Sequence, residues 1–209
     1  MKYENTALLP IADILYKSFK DLYLSKGYDF DETPGNINLF GCRSGLATTN
    51  LFDDWLGVAM LEEATAQPVV YLWQATTDPG LSYFRKPINP HGVGSLAPGQ
   101  YKKAYAIGTH FSYKALVQVK PVAMYRDSNK DLIFDWDPNT IEFGKFGVNI
   151  HKRNRTEEEV NGASAACQVF KVVKDFNEMM ALAKAQLKRT KKNEFTYTLF
   201  TAEDVPSLG

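Results

Sequence analysis

The chain has 209 residues, 44% of them apolar and 13% aromatic, enough to bury one substantial core without disulfides or metals. Its 24 basic and 24 acidic side chains cancel, so no global field draws it to nucleic acid or to an anionic membrane surface. No apolar run reaches transmembrane length, and Asp13 interrupts Leu8 to Leu15, so that stretch does not read as an export signal.

Leu8, Ile11, Ala12, Leu15, Phe19 and Leu22 recur at three-and-four spacing and predict an amphipathic helix packed on the rest of the protein. Pro34-Gly35-Asn36 marks a turn-rich connection into Ile37 to Cys42. From Ile37 to Ile150 short aromatic and β-branched runs alternate with glycine, proline and asparagine or aspartate, the pattern of strands and turns. Strands are predicted at 56–62, 69–76, 104–108, 116–119, 122–126 and 147–151, then a helix from about Val172 to Leu187 and a strand from Glu194 to Phe200. The basic cluster Lys184, Lys188, Arg189, Lys191 and Lys192 suits the negative end of that helix. The expected fold is therefore α+β, mainly β: a curved sheet or β-sandwich with an N-terminal helix and a second helix near the C-terminus. It is read as a single domain over 1–209, with residues 1–36 a helical segment packed on a β-rich body of residues 37–209.

Several constellations carry chemistry. Asp78, in Thr76-Thr77-Asp78-Pro79-Gly80, follows a strong strand in a sequence that Pro-Gly alone makes a turn. His91 lies in a glycine-rich loop, and His110 ends a predicted strand close to Tyr113. Asp127, Asn129, Asp131 and Asp135 alternate oxygen ligands as a calcium loop does. Leu132 and Pro138 stand where an EF-hand needs its glycine and bidentate glutamate, so a hairpin turn is preferred, with calcium the one cofactor candidate. Three scattered histidines and two distant cysteines make no zinc pattern.

The most informative stretch is Phe146-Gly147-Val148-Asn149-Ile150-His151 followed by Ser164-Ala165-Ala166-Cys167. A thiol brought beside an imidazole becomes a nucleophile. The spacing and residue types resemble the signature of the YkuD-type L,D-transpeptidases, in which His-Gly precedes Ser-x-Gly-Cys and the cysteine is followed by a helix and a closing strand. More loosely, the whole chain is similar to bacteriophage and Bacteroidetes proteins. The resemblance implies a cysteine acyltransferase acting on peptidoglycan stem peptides, with Cys167 as nucleophile, His151 as its base and Ser164 supporting them. His110, Arg153, Ala166 and Asp78 become candidate contacts to substrate. Without an export signal, cytoplasmic storage or association with a phage particle is the expected location of such a wall enzyme.

The departures are specific. Lys152 and Ala166 replace the family's two glycines, and Val169 replaces an arginine that would anchor a substrate carboxylate, leaving Arg153, Arg155 or Arg85 to substitute for it. Ala166 has a Cβ and enters positive φ only at a cost. These losses favour the alternative of a non-catalytic, transpeptidase-like binding module or phage structural component.

Overall fold

The structure is a computed structural model that describes residues 1–4, 10–45, 50–131, 136–153 and 158–205. Its strands are β1 (Lys2–Tyr3), β2 (Asn38–Arg43), β3 (Asp54–Leu61), β4 (Pro68–Thr76), β5 (Gly94–Leu96), β6 (Gly99–His110), β7 (Tyr113–Gln118), β8 (Val122–Arg126), β9 (Glu142–Gly144), β10 (Ile150–Lys152), β11 (Gln168–Phe170) and β12 (Phe195–Thr201). Three α-helices accompany them among the described residues: α1 (Ile11–Ser25), α2 (Leu81–Arg85) and α3 (Val173–Thr190). Nine strands pair in the order β1-β4-β11-β10-β7-β6-β12-β2-β3, and β3 also pairs with β4. The ladder thus returns to its start, and the mixed sheet curls round on itself. A separate antiparallel sheet, β5-β8-β9, completes the α+β, mainly β architecture.

Period-two alternation decides which side of the sheet each residue faces. Leu56, Val58 and Met60 of β3, Tyr71 and Trp73 of β4, and Tyr197 and Leu199 of β12 enter one large cluster. Their neighbours Ala59, Val70 and Phe200 face the other way, under Tyr16, Phe19, Leu22 and Tyr23 of α1. Helix α3 turns Phe176, Met179, Met180 and Ala183 into the large cluster, a three-and-four spacing that makes one continuous apolar stripe. Trp73 Nε1 donates to Glu178 Oε2 at 2.8 Å, fixing α3 to β4.

The first helix covers 11–25, and its inner face is not quite the one the aliphatic periodicity predicts. Ile11 is exposed, while Tyr16 and Tyr23 turn inward to meet Phe30 edge-to-face at 5.2 Å. Rings bury more area than an isoleucine, so they set the rotation of the helix. Leu8 lies outside the described residues. Helix α2 and strands β1, β5, β9 and β11 are five residues long or less, too short for a periodicity to show. Strand β10 begins at Ile150, after the positive φ of 75° at Gly147. No helix of the described residues is long and apolar enough to cross a membrane.

Candidate active site

Strands β10 and β11 run parallel, with Ile150 opposite Gln168 and His151 opposite Val169. One step earlier Asn149 stands beside Cys167, and the Gln168 N–H donates to the Asn149 carbonyl at 2.9 Å. Ile150 and Phe170 point into the large core, whereas Val169 packs with Cys167, Phe52 and Val160 in a separate small cluster. Alternation along β10 turns His151 away from the large core, while Asn149 and Cys167 immediately precede the paired strands. Two residue steps and one strand spacing place the His151 and Cys167 Cα atoms about 8 Å apart.

The Cys167 sulfur sits between main-chain groups. The Asn149 N–H points at it from 3.4 Å and the Gly147 carbonyl accepts from it at 3.5 Å; no hydrogen bond joins it to an imidazole among the described residues. Burial pushes the thiol up to about 11, against the opposing pull of the Asn149 N–H, so the resting sulfur is protonated at neutral pH. Ser164 is fully buried, and its hydroxyl donates to the Cys167 carbonyl at 2.8 Å. It clamps the turn carrying the cysteine rather than touching either ring.

The same turn is pinned from outside. The Gly80 N–H donates to the Ser164 carbonyl at 2.8 Å, and a Cβ on Gly80 would lie 1.9 Å from the Asn161 carbonyl oxygen, so only glycine allows this approach. Asn50 Oδ1 accepts from Asn161 N–H at 2.6 Å and from Leu81 N–H at 2.9 Å. Ala166 is held at φ 153°, in the region that favours glycine. The main-chain N–H groups of Ala165, Ala166 and Cys167 donate to no protein acceptor among the described residues, and all three residues line a cavity of about 170 Å³ beside the sulfur.

His110 and His151 stack with ring centroids 4.2 Å apart, and their partners fix both tautomers. His151 Nδ1 lies 2.8 Å from the Lys152 carbonyl. A carbonyl only accepts, so Nδ1 carries the proton and Nε2 the lone pair. The Tyr113 hydroxyl donates to that same carbonyl at 3.1 Å. Asn149 Oδ1 accepts from Gln118 N–H at 2.9 Å, which identifies Nδ2 as the amide nitrogen that donates to His110 Nδ1 at 3.1 Å. His110 therefore bears its proton on Nε2. Burial lowers His151 to about 4, with His110 adding to the effect and the Lys152 carbonyl opposing it; burial lowers His110 as well. The pair is neutral at pH 7, one ring offering an acceptor and the other a donor.

The other candidates have different surroundings. The Asp78 carboxylate pairs with Arg43 at 3.0 Å and accepts from the Ser95 hydroxyl at 3.1 Å, so it serves the loop that supports the cysteine turn. Arg153 is buried, its guanidinium 4.9 Å over Phe52 of the small cysteine cluster. His91 is exposed and joined to Glu142 at 2.9 Å. In the candidate calcium loop Asp127 Oδ1 accepts from Lys130 N–H at 3.0 Å and Asn129 Oδ1 from Asp131 N–H at 3.2 Å. These are the bonds of a turn. Asp135 and Arg155 lie outside the described residues, among which no group of three metal-ligating side chains gathers.

Asn149, Asn50, Tyr113 and Gly80 build the site, in roles that their places in the sequence do not reveal. Asn149 leaves a trace, an amide set between Val148 and Ile150 in an apolar run. No protein-family model matches the chain, and no curated protein matches it.

Proposed function

We propose that the protein is a cysteine acyltransferase of the L,D-transpeptidase type, with a YkuD-like body, acting on peptidoglycan stem peptides. The observation that carries this reading is the neutral His151, with Nε2 left as an acceptor, on the strand beside a cavity-lining thiol and three unengaged main-chain N–H groups. His151 Nε2 takes the Cys167 proton as the sulfur attacks the substrate carbonyl, and the C–S bond forms. The N–H groups of Ala165 to Cys167 hold the negative oxygen, each such donor contributing about 2.7 to 4 kcal/mol. The tetrahedral species then expels its amine, which recovers the proton from His151, and leaves a thioester. An incoming amine gives transpeptidation and water gives hydrolysis. With His151 held low and the thiol held high, the resting state is a neutral pair rather than an ion pair, and the proton moves with the attack.

The same high thiol, together with Ala166 and Val169 at the family's glycine and arginine positions, favours a second reading, a non-catalytic wall-peptide-binding or phage accessory module. Intact-protein mass spectrometry after exposure to a carbapenem, and separately to purified muropeptides, decides between them. An adduct localised to Cys167 and absent from Cys167→Ala supports the acyltransferase. No adduct on folded protein, with muropeptide still bound, selects the module.

A further inference from the structure

The cavity beside Cys167 is lined mainly by apolar groups, among them Tyr83, Ile88, Val93, Met124 and Phe146, and Arg126 is the one charged lining residue among the described residues. Arg126 is only 9% exposed, and a buried guanidinium is costly unless its donors are used. Nε donates to Glu142 Oε2 at 2.9 Å, and Nη1 approaches the Gly92 carbonyl at 3.5 Å. Nη2 has no protein partner among the described residues. The head group itself faces the cavity: it lies 5.1 Å over the Phe146 ring, and Nη1 would be 2.9 Å from a Cβ placed on Gly94, both of which are lining residues. Glu142 is not part of the lining. Its other oxygen is tied to His91 at 2.9 Å, so it orients the guanidinium from behind and leaves the outer nitrogens to the cavity.

We infer that this cavity is the acyl-donor subsite and that Arg126 binds a carboxylate carried by the donor, selecting anionic peptide donors over neutral ones. The inference rests on the acyltransferase reading for the word donor, though not for the ligand chemistry. A guanidinium with free donors in an otherwise apolar pocket fits the planar, two-oxygen carboxylate better than any neutral group. The space equals about six waters at the liquid volume, the size of one amino-acid side chain. Arg126 comes from β8, far in sequence from the Val169 position, and reaches the cavity through the small sheet.

Two thiol reagents of nearly equal size test it on the full chain: iodoacetate, which is anionic, and iodoacetamide, which is neutral. The rates at Cys167 are read by peptide mapping so that Cys42 does not interfere. Relative to the ratio for the same cysteine in the denatured chain, iodoacetate should be favoured at least fivefold in the folded protein, and salt should erode the preference. Arg126→Met should bring the iodoacetate-to-iodoacetamide ratio to the denatured value, and Arg126→Lys should keep part of the preference. A folded-state ratio equal to the denatured one overturns the inference, as does a preference that survives Arg126→Met or a folded Cys167 that neither reagent reaches. The wild-type ratio and its salt dependence remain decisive even if a variant fails to fold. Alkylation needs no turnover, so a protein that never forms an acyl-enzyme can still show the charge preference. Acylation by carbapenem without that preference would leave the acyltransferase standing and remove Arg126 from it.

Discussion

Ala166 stands at φ 153° immediately before the nucleophile candidate, and replacing it with glycine tests whether that backbone is strained. A non-glycine residue held in a sparsely populated region costs about 1 to 3 kcal/mol. Glycine relieves that cost but brings two losses: about 0.5 to 1 kcal/mol of added freedom in the unfolded chain, and about 0.8 kcal/mol for one buried methyl group. The net effect of Ala166→Gly alone is therefore close to zero and uninformative. Ala165→Gly supplies the reference, because Ala165 is half-buried and keeps negative φ; it suffers similar losses with nothing relieved. Ala166→Gly should be more stable than Ala165→Gly by about 2 kcal/mol, the strain itself, or about 4 to 8 °C in Tm for a chain of this size. Calorimetry or urea unfolding of the two variants measures the gap. Equal stabilities, or Ala166→Gly falling below Ala165→Gly, would refute the claim that this turn stores strain.

Asn50 has φ 79° and satisfies two N–H groups of the loops that flank the cysteine turn. Asn50→Gly keeps the backbone and loses the bonds, at a cost of about 2 kcal/mol, and Asn50→Ala should cost about 1 kcal/mol more because alanine resists positive φ; melting temperatures within a degree of wild type for both would show the pin to be unimportant. Burial and the neighbouring His110 hold His151 near 4 against an ordinary 6.5. The folded state thus disfavours the imidazolium: His151 contributes its stability above pH 6.5 and loses about 3 kcal/mol of it as pH falls through that range to 4. Urea unfolding from pH 7 to 4 should show wild type losing that much more than His151→Asn, and parallel curves would contradict the assignment.

What the sequence made legible was local. The His151, Ser164 and Cys167 spacing, the alternation of Val69 to Ala75 and the helix of Val173 to Thr190 are written within single segments, where hydrophobic period and residue type suffice. What stayed hidden depends on strands that meet only after the sheet curls. Nothing in positions 50, 80 and 161 announces that they converge on one turn. Asn149, carrying a register bond from β7 and fixing a histidine of β6, reads in sequence as an interruption of an apolar run. Periodicity put Ala12, Phe19 and Leu22 of α1 on the buried face, as found, and misplaced Ile11 for a related reason: the sheet it covers carries rings, with Phe19 meeting Phe40 at 4.2 Å, so Tyr16 and Tyr23 turn inward at the expense of Ile11. The same physics explains why the motif by itself could not settle the chemistry. A thiol's reactivity is set by desolvation and by the surroundings of its base, and here the burial of Cys167 and the His110 ring stacked on His151 come from across the fold. Lys152 supplies the local part: it stands where the signature that the chain resembles has a glycine, yet its carbonyl, which any residue would supply, is the group that holds the His151 proton on Nδ1.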